Sequence, residues 1–170
     1  MASYRGIDDT ITEYENARAA RLAEGRVLAT STGPQAPNTD AGAAYLLGYV
    51  AEAALKSAYF RVIQHGLQAR IDHAMLKTAK VQAKALGVST DPESYHSVKF
   101  WCDALIAQRA QRRMSFTTAF QALLQRNTDI IYNHWWVELR YKTPRTTPAE
   151  RQDVEDAALW YDHNYIALYR

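Results

Sequence analysis

The chain has one cysteine, Cys102, so it can form no internal disulfide, and an oxidising compartment would add nothing to its fold. Cys102 falls on an apolar helical face and reads as a small buried hydrophobe, not a nucleophile. Strand signals are also missing: Gly, Pro and β-branched clusters never coincide with period-two alternation. Long apolar runs are missing too. The longest, Ala41 to Ala51, is too short to span a bilayer, and Glu52 and Lys56 interrupt its extension. The opening MASYRGIDDTITEYENARAA lacks the apolar stretch of a signal peptide. The expectation is a cytoplasmic protein with no membrane partner. An excess of one charge is lacking as well: the formal net charge of +2 does not by itself imply a nucleic-acid partner.

What is present suits one folded domain. The 170 residues are 48% hydrophobic and 22% charged, enough for a single good core. Tyrosine (11) and tryptophan (4) together outnumber phenylalanine (4), which leans toward aromatic groups at the edge of the core or at an interface. Charge is uneven along the chain. Residues 1–50 carry four basic and six acidic side chains, and residues 99–151 carry nine and four. An anionic partner would meet the second region.

The most telling stretch is AGAAYLLGYVAEAALKSAYFRVIQH, residues 41–65. It is apolar almost all round for three turns, where a surface helix would show a narrower stripe. This predicts a central helix, touched on several sides and stopped by Gly66. Gly48 in its middle permits a close helix crossing or is simply tolerated. Before it lies a helix over 8–29, weakened near Gly25, and a loop over 30–40 whose Thr39 or Asp40 can cap the central helix. After it come helices over 67–86 and 92–113, the latter capped by Asp91 with Pro92 in its first turn. Ser115 opens a fifth, with a stripe Phe116, Phe120, Leu124, Asn127, Ile131, Trp135 and Leu139. Thr147, Pro148 and Glu150 form the cleanest start signal, a capping box for the last helix. The fold class is therefore all-α, an antiparallel bundle of five to six helices.

Chemistry is sparse. One Glu-x-x-His unit, Glu93 to His96, stands where a di-metal bundle would need two, and no other metal motif, phosphate-cradling loop or nucleophile motif is present. No metal and no cofactor are implied. Glu52 and Lys56 form an i,i+4 pair inside a mostly apolar helix. They are either an ion pair that fixes helix register or a polar spot in a groove or at a dimer seam. Lys99, Arg109, Arg112 and Arg113 share the fourth helix and its end; aligned with Lys142 and Arg145 they would form a patch for RNA, DNA or a nucleotide phosphate. Metal-independent ribonuclease chemistry would want a histidine beside an arginine. His65, His96 and His134 are the candidate histidines, and the combinations are Arg126, His134 and Arg140, or Arg61 and His65.

Three segments resemble the HEPN superfamily, helical domains named for nucleotide binding in higher eukaryotes and prokaryotes. They are AAYLLGYVAEAALKSAYF (43–60), His96 leading into SVKFWCDAL, and WWVELRY (135–141). The resemblance covers roughly residues 41–168. It implies a HEPN-like bundle over 41–170 within a single domain of 1–170, with 1–40 as an N-terminal helix and loop extension. It also implies self-association as a dimer and a setting in defence, toxin–antitoxin, RNA-processing or phage-related systems. Catalytic members carry an Arg, four to six residues, then a His. Here Arg61 to His65 has three intervening residues, Arg70 to His73 two and Arg126 to His134 seven, so the spacing is absent. The expected function is a non-catalytic nucleotide- or nucleic-acid-associated binding or interaction module. The alternatives are a metal-independent endoribonuclease with a degenerate site, and a structural dimer with Trp135, Trp136 or Tyr141 at its seam.

Overall fold

Among the described residues, six helices and no strand form the protein's architecture in a computed structural model. It describes residues 10–31, 36–89, 95–135 and 146–170, with 36–38 by backbone alone. The helices are α1 (Ile11–Ala29), α2 (Ala36–Val62), α3 (His73–Ala85), α4 (Val98–Gln111), α5 (Thr118–His134) and α6 (Pro148–Tyr169). The all-α antiparallel bundle expected from periodicity is what forms.

Helix α2 is the axis. Every residue from 51 to 60 is buried, and the helix packs on α1, α4, α5 and α6. Ala43, Ala44, Ala51, Ala54 and Ala58 are fully buried, which lets neighbouring backbones come close on several sides. Tyr59, Phe60, Trp101 and Tyr161 supply the bulk of the interior. The N-terminal helix, expected as an extension, lies along α2 and touches α6. Gly25 is buried there without breaking α1: a Cβ on it would sit 2.7 Å from Leu47 Cγ, so a glycine admits the leucine. Glu15 then joins three helices, its Oε1 accepting from Arg61 Nε at 2.7 Å and from the Tyr165 hydroxyl at 2.6 Å.

Several boundaries differ from expectation, each for a local reason. Helix α1 starts at a capping box of Thr10 and Glu13. Helix α2 starts at Ala36, so Asp40 lies inside it and does not cap it; its Oδ1 accepts from Arg151 Nε at 3.1 Å. The same helix stops at Val62, ahead of Gly66. Gln64 takes the left-handed conformation (φ 62°), with His65 N–H donating to Phe60 O and Gln64 N–H to Arg61 O, a Schellman ending built without glycine. Helix α3 begins only at His73, capped by Asp72, whose Oδ1 accepts from Met75 N at 2.8 Å. Ser97 caps α4, so Tyr95 and His96 form a turn before it. The expected cap at Asp91 and first turn at Pro92 and Glu93 lie outside the described residues. Thr117 caps α5 in place of Ser115. The capping box of Thr147 and Glu150 with Pro148 at the start of α6 forms as expected.

Candidate functional site

The polar pair of α2 is buried at the base of a cleft. Glu52 and Lys56 lie one turn apart on a helix otherwise apolar in this region, and each side chain is only 5% exposed. Lys56 Nζ donates to Glu52 Oε1, and the ammonium rests over the rings of Tyr14 (5.6 Å) and Trp101 (5.7 Å). His96 reaches the same oxygen, with Nδ1 3.1 Å from Glu52 Oε1, while its ring is 59% exposed. The turn that carries His96 is anchored: Trp101 Nε1 donates to Tyr95 O at 3.1 Å, and the Tyr95 ring meets the His73 ring at 5.1 Å and the Lys80 ammonium at 4.7 Å.

Burial alone would raise the Glu52 carboxyl, but the Lys56 ammonium and the His96 hydrogen bond outweigh it and hold the group below its ordinary value. The carboxylate is therefore ionised in the folded protein at neutral pH. Its two oxygens are unequal. Oε1 takes both bonds, and Oε2 is buried with no hydrogen-bond partner.

The cleft above this cluster encloses about 520 Å³ between α1, α2 and the His96 turn. Half-buried Tyr14, Tyr45 and Tyr49 line it with Leu46 and Ala53, and Glu13 and Arg21 stand on its α1 side. The Tyr45 and Tyr49 hydroxyls share a hydrogen bond of 2.9 Å, and their rings meet edge to face at 5.0 Å. Trp135 braces that wall from behind: its Nε1 donates to Tyr45 O at 2.9 Å and its ring meets Tyr49 at 5.2 Å. An aromatic-walled concavity with a few convergent polar groups is the usual form of a small-molecule site.

Among the described residues, the other expected site residues are not brought together. Arg109 does not join a surface patch: it is buried, its Nη1 donates to Leu168 O at 3.0 Å, and its guanidinium stacks 4.1 Å from the Phe116 ring. It holds the end of α6 against α4. Lys99 is exposed and pairs with Asp129 at 3.1 Å. Arg112 and Arg113 close the far end of α4, about 20 Å along the axis from Lys99 at 1.5 Å per residue. Lys142, Arg145 and Arg140 lie outside the described residues.

The histidine–arginine pairs fare similarly. Arg61 bonds Glu15 and stacks on Tyr169 at 4.6 Å, while His65 Nε2 donates to the carbonyls of Ala69 and Arg70. Exposed Arg126 lies about 12 Å along α5 from His134, whose Nδ1 is 3.8 Å from Glu150 Oε1. Trp135, one of three seam candidates under the structural-dimer alternative, is buried within the chain; Trp136 and Tyr141 lie outside the described residues. Cys102 is buried as expected, and burial pushes its thiol up to about 12. Among the described residues no three His, Cys, Asp or Glu side chains converge as metal ligands. No described helix is long and apolar enough to cross a membrane.

The sequence reading singled out Glu52 and Lys56 but did not place His96, Tyr14, Tyr45 and Tyr49 beside them. Tyr45, Tyr49, Glu52 and Lys56 recur at helical spacing on one face of α2, a signal that was available. Nothing local links His96 to that face.

Set against known proteins, the chain matches no family model, no curated protein and no solved structure.

Proposed function

We propose that this chain is a non-catalytic, cytoplasmic binding module that takes a nucleoside or nucleotide into the cleft above Glu52. One observation carries the reading: an ionised carboxylate and its ammonium partner, Glu52 and Lys56, lie at the base of a tyrosine-lined cavity of about 520 Å³. The cavity falls within the usual range of small-molecule sites. The resemblance of residues 43–60 to a HEPN helix points to the same class of ligand, and self-association as a dimer belongs to this proposal.

The test is calorimetric titration of the purified protein with adenosine, cytidine, adenosine monophosphate and a single-stranded RNA oligomer, beside sedimentation to read its oligomeric state. Saturable one-site binding of a nucleoside or nucleotide supports the reading. Binding of RNA alone, weakening steeply with salt, would move the function to a charged surface away from the cleft. Absence of binding by all four overturns the proposal.

A further inference from the structure

Three helices end at a second groove, of about 330 Å³, which shares no residue with the cleft above Glu52. Ile63 follows α2, Gln82 and Leu86 come from the end of α3, and Gln108, Gln111 and Arg112 from the end of α4. We infer that this groove binds a small monocarboxylate with a short apolar tail. Its carboxylate is bonded by the Arg112 guanidinium and the Gln108 amide, and its tail lies against Ile63 and Leu86.

The first observation is Gln108. The residue is only 6% exposed, yet its side-chain amide makes no hydrogen bond with any described residue. Its amide atoms are not sealed in either, as Nε of the adjacent Arg109 is. What accessible surface the side chain keeps belongs to the groove it lines. Native proteins rarely leave a buried amide without a partner. This one offers a vacant N–H pair and a vacant oxygen at a place a ligand can reach.

The second is Arg112. It is exposed and forms no ion pair or side-chain hydrogen bond with a described residue. Burial pushes the Tyr59 hydroxyl up to about 12, and the Arg112 charge works against that shift. The same hydroxyl donates to Gln82 Oε1 at 3.3 Å, so Gln82 keeps Nε2 as its free end beside the guanidinium. A cation at a helix C-terminus ordinarily answers the helix dipole. Here the carbonyls of Phe60 and Arg61, of Ala83 and Lys84, and of Arg109 and Ala110 already accept from the backbone N–H groups of Schellman endings. Arg112 is left as a full charge with no carboxylate opposite it.

The third is the balance of the lining. No acidic side chain lies among the lining residues, so the groove carries one formal positive charge. One charge matches a monocarboxylate, whereas a phosphate dianion would leave a negative charge unanswered. A carboxylate takes paired, charge-assisted bonds from a guanidinium and can accept further ones from the amides of Gln108 and Gln82. The volume lies at the small end of ligand sites, which suits a chain of a few carbons against Ile63 and Leu86.

The experiment is a two-dimensional NMR titration of the full ¹⁵N-labelled chain with butyrate, isovalerate, butyramide and inorganic phosphate at fixed ionic strength. The expected result is saturable shifts in residues 82–87 and 108–113 with either carboxylate, at least about ten-fold tighter than with butyramide, and no saturation by phosphate over the same range. Arg112→Ala should weaken butyrate at least about ten-fold, with part of the loss recovered in Arg112→Lys. Gln108→Leu, which fills the same volume without an amide, should weaken butyrate while leaving the fold intact. If that variant does not fold, the Arg112 variants decide alone. Butyramide binding as well as butyrate, phosphate binding more tightly than butyrate, full affinity in Arg112→Ala, or no saturable shift at this groove each overturns the inference. Nucleoside binding at the other cleft is read separately and stands or falls by its own titration.

Discussion

Gly48 and Trp135 occupy one volume. A Cβ built on Gly48 would lie 2.0 Å from Trp135 Cδ1 and 2.1 Å from its Cγ, so the indole sits directly on the α2 backbone. The ring is held by its own hydrogen bond to Tyr45 O one turn earlier and by its contact with Tyr49. The glycine serves a side chain that follows α5, not a helix crossing, and the indole in turn backs the tyrosine wall of the cleft.

Gly48→Ala should therefore expel the indole. Helix propensity alone would favour alanine by about 1 kcal/mol. The clash falls on ring atoms anchored on two sides, so overpacking of about 1–3 kcal/mol or more should prevail. The net expectation is a lower denaturation midpoint and red-shifted tryptophan emission as Trp135 meets water. Fluorescence-detected urea unfolding reads both, and a midpoint at or above wild type would show that Trp135 can move at no cost.

The Glu52 cluster makes stability depend on pH with a definite sign. The folded carboxyl is held below its ordinary value, so its charge is worth more in the folded than in the unfolded chain. That contribution is complete above the unfolded carboxylate value of about 4.3 and is lost as pH falls through the lower folded value. Glu52→Gln should flatten the fall in midpoint over that acidic window. Lys56→Met leaves the carboxylate buried without its cation and should cost about 3–5 kcal/mol at neutral pH. The double variant should regain much of that loss. Thermal melts from pH 3 to 7 on the three variants check this, and a Lys56→Met protein as stable as wild type would mean the pair is not buried as described.

These contacts mark where local reading succeeds and where it stops. The all-round burial of α2 was legible because apolar residues recur at every angle over residues 43–60, and α6 was legible from one capping box. Periodicity says which face is buried but not against what. His96 meets Glu52 across 44 positions, Trp135 meets Tyr45 across 90, and Arg109 meets Leu168 across 59. No spacing rule links such pairs. Arg109 shows the consequence: beside Arg112 and Arg113 it reads as part of a basic surface, yet its position on the inner face of α4 makes its guanidinium a cap for α6. The misplaced end of α2 has the same origin. The chain reverses at Gln64, a residue with no turn preference, two positions before the glycine that carries the signal.

That non-glycine ending gives a prediction with the opposite sign. Gln64 and Arg113 both hold left-handed conformations (φ 62° and 59°), each as the residue after a helix cap, with the paired bonds of a Schellman motif around it. Gly87 does the same after α3 at φ 86°, where glycine is at ease. A side chain in this region costs about 1 kcal/mol relative to glycine, partly offset by the greater freedom glycine gains on unfolding. Gln64 is exposed, so removing its side chain sacrifices little packing. Gln64→Gly should stabilise the protein by up to about 1 kcal/mol, with Gln64→Ala neutral or worse because alanine keeps the strained Cβ. Arg113, also exposed, should behave alike. The two glycine changes lie at the ends of different helices and should add within about 0.5 kcal/mol. Urea denaturation of the two single glycine variants and the pair reads all three values. A Gln64→Gly protein less stable than wild type would mean that the Gln64 side chain makes a stabilising contact that outweighs its backbone strain.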